Sequence, residues 1–321
     1  MHKKHLPLCL LIASFFAGNL MAQQPTAQQP VKTQPQKTAS GTAKVDPTAM
    51  SNQMMLVFME RMKAGNLKEA REIAAEMVYD HEKFQNTDAK EYKSFHSAME
   101  KELYTLLETR SGSKKEIVWL EQPISDGFYF MAILDFQENK HEDALANIQK
   151  AIYWNPMRSA FYTERGFMFL RKNTGPDILS AQIAYQKALE LADNAEDFAA
   201  ALRGLAFVLV EKKDLDQALA CLMVSKSYDS SNNDADEEML FIKRLNPDLF
   251  SSMTFAKAKE VMQANKIIFE YAPDHVQVLI KLADNMPAAS ADKAVMLLKK
   301  AQEMAPQNTE ITKRLKTLEK K

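Results

Sequence analysis

Glycine is scarce in this chain, at 8 of 321 residues, and two of them, Gly18 and Gly41, precede the part expected to fold. Proteins built from β-hairpins need glycine for their tight turns, so few such turns fit here. Cysteine is scarcer still, with Cys9 and Cys221 the only two. Cys9 follows Leu6-Pro7-Leu8 rather than a small residue, and it sits too early for a lipid-modified leader. If residues 1–22 are removed, Cys221 alone remains and the chain has no internal disulfide. Cys221 reads as a small buried apolar residue on a helix. Charge of one sign is also missing: 41 basic and 42 acidic residues nearly cancel. That excludes the basic excess of a nucleic-acid binder.

Motifs that carry chemistry are absent as well. His81, His96, His141 and His275 lie beyond the leader, and none is three or four residues from another histidine or a cysteine. Zinc-type spacing therefore does not occur. His81-Glu82 and His141-Glu142 read as surface helix positions. No G-x-S-x-G, G-x-G-x-x-G or phosphate-loop pattern is present. The acidic stretch from Asp229 to Glu238 offers the oxygen ligands that calcium prefers. A calcium loop of the usual kind has glycine at its sixth position and an acid at its twelfth, where Asp234 and Leu240 stand here. The stretch reads instead as a loop opening a helix, with acids facing the positive end of the helix dipole. No catalytic residue, metal or cofactor is expected.

What is present begins with a leader. Residues 1–22 read as a secretory signal peptide. His2, Lys3, Lys4 and His5 give a positive start, Leu6 to Leu20 is mostly apolar, and Ala22 suits the cleavage position. An uncleaved N-terminal anchor is the alternative, although Ser14, Gly18 and Asn19 interrupt the apolar stretch. Export is expected, to the periplasm if the cell has two membranes, or else by secretion. After cleavage the chain keeps 39 basic and 42 acidic residues, and no integral membrane span is expected in it. Residues 23–50 read as a disordered linker rich in Gln, Pro and Thr. Between Gln23 and Pro47 only Val31 and Val45 are bulky and apolar, too few to offset the entropy of ordering.

From Ser51 onward the apolar residues fall at helical spacing. Met54, Leu56, Val57, Phe58 and Met62 mark a first helix, and Ala64-Gly65-Asn66 breaks it. Leu67 to Tyr79 forms a second, with Ala70, Ala74 and Met77 on one face. A longer helix is expected over Ala89 to Thr109, ended by Ser111-Gly112-Ser113. Residues 115–123 are expected as an extended link packed through Trp119.

Internal repetition organises the rest. Ala144, Ala181 and Ala218 occupy equivalent places, each 37 residues from the next. Four residues later come Ile148, Tyr185 and Leu222, and three further on Ala151, Ala188 and Ser225. Pro156, Asp193 and Ser230 close the three segments. A small, a large and another small residue at these intervals make one stripe of a helix. Each segment follows another helix, over Phe128 to Phe136, Tyr162 to Leu170 and Leu202 to Val210, in which Ala132, Gly166 and Ala206 hold the small position. Ala294, Leu298, Ala301 and Pro306 repeat the spacing near the end, and Ile268 with Pro273 reads as the close of another unit.

This pattern resembles the tetratricopeptide repeat family. The likeness is best over residues 125–158, good to about 230, fair over 252–320 and weak over 51–84. The second unit departs from it with extra residues around Asn173-Thr174-Gly175-Pro176, and the third lacks the closing proline. The resemblance implies an all-α fold, an α-solenoid of helix-turn-helix repeats in which stacked pairs bury the face that none can bury alone. The body then divides into 51–123, an N-terminal helical region with a weak pair; 124–232, the core repeats; and 233–321, further helical repeats with a capping helix from Glu310 to Lys321. It also implies that the first helix of each pair lines a concave groove. Tyr129, Thr163 and Arg203 would share one row, Ile133, Phe167 and Phe207 a second, and Gln137, Arg171 and Glu211 a third. An apolar row flanked by polar ones suits a peptide or a helix of a protein partner; the other reading of Ile133, Phe167 and Phe207 is core. The implied role is a non-enzymatic scaffold or adaptor, in assembly or docking of an envelope or secretion complex. A peptide- or glycan-binding module serving transport or degradation is the alternative.

Overall fold

The computed structural model describes residues 47–171 and 177–318. The leader, most of the linker and the Asn173–Pro176 insertion lie outside them. The described residues form fifteen α-helices, two short strands and two single-turn 3₁₀ helices, joined by turns. The first helix, α1 (Pro47–Lys63), starts inside the segment assigned to the linker; proline's fixed φ and missing N–H suit the opening of a helix. It pairs with α2 (Leu67–Val78), whose buried stripe is Ala70, Ala74, Met77 and Val78.

The expected long helix over Ala89 to Thr109 is not there. Strand β1 (Lys90–Lys93) is followed by α3 (Ala98–Arg110) and then β2 (Glu116–Trp119). The strands run parallel, with Lys90 opposite Glu116 and Lys93 opposite Trp119. Ser97 starts α3 by a full capping box with Glu100, which fixes the helix start nine residues later than expected. Gly112, at φ 86°, ends it. The link around Trp119 is extended as expected, and the Trp119 indole N–H donates to the Phe95 carbonyl at 2.9 Å.

Three regular pairs follow: α4 (Ile124–Gln137) with α5 (His141–Trp154), α6 (Ser159–Arg171) with α7 (Asp177–Leu191), and α8 (Ala195–Glu211) with α9 (Leu215–Tyr228). The second helices end at Trp154, Leu191 and Tyr228, in step with the repeat. All nine stripe residues are buried: Ala144, Ile148, Ala151, Ala181, Tyr185, Ala188, Ala218, Leu222 and Ser225. A methyl at the small positions lets the paired helices close up, and each large residue then contributes about 2–3 kcal/mol through burial. Cys221 is fully buried, and burial raises its thiol pKa to about 12, so it stays an apolar filler.

Beyond α9 the regularity changes. Helix α10 (Asn233–Leu245) and the short α11 (Pro247–Ser252) lead into α12 (Phe255–Ala264), which packs on α9 as the first helix of a fifth pair. The turn after α12 matches those after α1, α4 and α8. Gly65, Asn139, Lys213 and Lys266 each stand two residues past a first helix, and each has positive φ, between 56° and 71°. Yet no second helix follows α12. Ile268 and Pro273 do not close a unit: residues 267–272 run without helix, and Pro273 opens α13 (Pro273–Asp284) at its first turn. The extended segment is pinned by aromatics, with the Tyr271 ring 5.1 Å from Phe198 and the Tyr228 hydroxyl donating to the Phe269 carbonyl at 2.8 Å.

Helix α13 pairs with α14 (Ala291–Met304), where Ala294, Leu298 and Ala301 are buried as expected. The last helix, α15 (Thr309–Leu318), buries Ile311 and Leu315 and faces solvent with its lysines. The whole is an all-α solenoid of tetratricopeptide-like pairs, interrupted by the β1–α3–β2 insertion and by the missing second helix of the fifth pair. No helix among the described residues is long and apolar enough to cross a membrane.

Candidate functional site

The first helices of the three regular pairs, α4, α6 and α8, carry the residues expected to line the groove. Their two ends differ. In the N-terminal halves almost every side chain is enclosed: Ile124 to Phe130, Ser159 to Glu164 and Phe198 to Leu202 are all buried. Tyr129 and Ile133 are 3% and 5% exposed and Thr163 is 3% exposed, so two residues of the first row and the start of the second sit in the core. Tyr129 packs its ring 5.0 Å from Phe161. Burial, with Glu164 close by, raises its phenol well above the ordinary value. Arg203 is mostly buried and pairs with Asp229 at 3.3 Å, tying α8 to the end of α9.

Toward the C-terminal ends some of the expected residues keep surface, although Ala132 to Phe136 of α4 and Leu205, Ala206, Val208 and Leu209 of α8 are still buried. Gln137 and Glu211 are exposed, and Phe167, Arg171 and Phe207 are half-buried. The Phe167 ring leans on Phe136 at 5.4 Å, and the Arg171 guanidinium lies 5.3 Å above the same ring. That contact holds an aromatic and a cation together at the surface. Six expected residues, Gln137, Phe167, Arg171, Arg203, Phe207 and Glu211, thus keep some surface, and three do not.

The enclosed end holds charges that sequence spacing gave no sign of. Arg158, on the turn before α6, lies 3.4 Å from Asp126 of α4. His96, in the turn before α3, reaches Asp126 at 3.5 Å. The Asn155 amide donates to Glu100 of α3 at 2.8 Å. On the turn between α7 and α8, Asn194 caps α8 by accepting from the Asp197 N–H at 2.9 Å. Lys300 of α14 meets Asp193 there at 2.8 Å. Burial would raise the Asp193 carboxyl, but Lys300 holds it below its usual value. Asp197 is raised to about 6, by burial first and then by Asp193. Glu164 is pushed to about 7 by burial alone. His275, on the first turn of α13, is 1% exposed, and neither ring nitrogen has a hydrogen-bond partner among the described residues. Burial lowers its pKa. The remaining histidines are less exposed than expected. His81 packs edge-on against Phe128, and His141 against Phe136.

The same end is spanned by the C-terminal pair. Asp274 of α13 takes both guanidinium nitrogens of Arg110 at 2.5 and 2.9 Å, and Lys281 meets Glu102 at 2.8 Å. With Lys300 on Asp193, α13 and α14 bridge α3 to the turn before α8. No group of three or more metal-ligating side chains occurs among the described residues. The acidic stretch at Asp229–Glu238 serves as the start of α10, with the Asn232 side chain accepting from the Ala235 N–H.

The sequence matches no family profile and no curated protein. Among solved structures the fold is similar to PilF of Pseudomonas aeruginosa, with a TM-score of 0.43 and 12% identity over 83% of this chain and 97% of that one. It is also similar to a tetratricopeptide repeat protein from Parabacteroides merdae, with a TM-score of 0.30 and 17% identity over 84% and 99% of the two chains. The C-terminal part of a repeat protein of the same kind from Cytophaga hutchinsonii gives 0.34 and 15% over 82% and 98%.

Proposed function

We propose that this chain is an exported scaffold that holds a protein partner, received as a peptide or a helix across the C-terminal ends of α4, α6 and α8. The observation that carries the reading is the contrast between the two ends of these helices. One end is closed by the chain's own residues, while the other offers Phe167 and Phe207 flanked by Gln137, Arg171 and Glu211. Half-exposed aromatics inside a polar rim are the composition of a recognition surface. A rigid stack presents them without the entropy of ordering a loop. The leader places the scaffold in the envelope or outside the cell, where assembly or docking of an envelope or secretion complex is its role.

The test is site-specific photocrosslinking in native envelope fractions, with the crosslinker at Gln137 or Glu211. These positions are exposed, so the fold tolerates the change. One recurrent protein adduct, lost when Phe167→Ala and Phe207→Ala are combined, supports the scaffold. Sugar polymers in place of protein, or adducts indifferent to the two phenylalanines, would contradict it.

A further inference from the structure

Helix α10 is poorly covered. It buries only Ala235 and Ile242, seven residues apart on one face. The opposite face carries Glu237, Leu240, Phe241 and Arg244, all exposed, with Leu240 at 51% and Phe241 at 38%. Residues 243–248, where α10 turns into α11, are exposed without a break, so this corner stands clear of the stack. Among the described residues no ion pair engages Glu237 or Arg244. They cannot engage each other, because seven residues of helix separate them by about 10.5 Å, whereas helical ion pairs form at three or four.

The order of these side chains is its own complement. Turned end for end about the midpoint between Leu240 and Phe241, position 237 falls on 244 and position 240 falls on 241. We infer that the chain dimerises through α10, packed antiparallel against the same helix of a second copy. In that arrangement Glu237 faces Arg244 of the partner subunit, twice by symmetry, and Leu240 faces Phe241 of the partner subunit, twice. This is the self-complementary contact that a twofold axis requires. A parallel arrangement sets like charges together. The Arg244 guanidinium already lies 5.9 Å from the Phe241 ring, which presents cation and ring side by side. Leu245, on the same helix, adds apolar area at 55% exposed. One helix per subunit makes a small interface, so the dimer is weak and forms with rising concentration.

Sedimentation velocity of the purified chain over a wide concentration range tests this. The wild-type chain shifts from monomer to dimer. Arg244→Glu and Glu237→Arg each weaken the self-association by roughly tenfold or more, because each places like charges opposite one another. Mixing the two variants restores association, as a heterodimer. The double variant E237R/R244E dimerises like the wild type. All four positions are exposed, and circular dichroism checks that the helix content is unchanged. A chain that stays monomeric at every concentration overturns the inference. So does a dimer that survives both single reversals, or a mixture of the two variants that fails to associate.

Discussion

Tyr185 shows how one side chain sets the spacing between neighbouring pairs. Its ring sits where α6, α7 and α8 meet, against two glycines that leave it room. A Cβ on Gly166 would come within 2.9 Å of the ring, and one on Gly204 within 2.0 Å. The ring is 3% exposed and has nowhere to swing. Gly204→Ala is therefore expected to destabilise the fold by about 1–3 kcal/mol through overpacking, despite alanine's better helix propensity, as urea denaturation would show. Glu164 supplies a second residue-scale prediction. Its folded pKa of about 7 lies above its ordinary 4.5, so the folded state holds the proton more tightly. Its contribution is fully present below pH 4.5 and is lost as the pH rises to 7. Glu164→Gln should raise stability at pH 8 by roughly 2–3 kcal/mol and leave it nearly unchanged at pH 4. A gain of equal size at both pH values would mean that ionisation is not the cause.

At the scale of elements, the turn after α1, α4, α8 and α12 is a shared device with unequal fittings. Gly65 meets its positive φ at no steric cost, whereas Lys213 and Lys266 hold 68° and 56° with a Cβ. Lys213→Gly should raise the free energy of unfolding by about 0.5–1 kcal/mol, since the backbone gains what the side chain forfeits. The packed stripes were readable in the sequence because close helix contact demands particular sizes at fixed intervals, and Ala144, Ala181 and Ala218 display that demand directly. The strands at Lys90–Lys93 and Glu116–Trp119 were not readable. Each strand is only four residues long, and three of the four in Lys90–Lys93 are charged, so no alternation shows, and their pairing depends on a partner across α3. Nor was the absent second helix after Ala264: Ile267 to Tyr271 is apolar enough for a helix, and packing against Phe198 and Tyr228 decides otherwise. Of the nine residues expected on the groove rows, Phe167, Arg171 and Phe207 keep some surface, whereas Tyr129, Ile133 and Thr163 are buried, because residues from distant parts of the chain pack over them and spacing along one helix does not register that.

At the scale of the molecule, stability in a stack comes from each pair's own packing and from contact with its neighbours. The pair α6–α7 has neighbours on both sides, α4–α5 and α8–α9. Three ion pairs help to tie the C-terminal pair to the rest, Arg110–Asp274, Lys281–Glu102 and Lys300–Asp193. The first two are largely exposed, and pairs of that kind are worth little individually and weaken with salt, whereas Lys300–Asp193 is part-buried. Native-state hydrogen exchange resolved by peptide measures this hierarchy directly. The account predicts the slowest exchange in α6 and α7, faster exchange toward α1–α2, and the fastest in α13–α15, with salt accelerating the last group alone. Uniform protection across the chain, or α13–α15 exchanging as slowly as α6 and α7, would contradict a stack held by neighbour contacts.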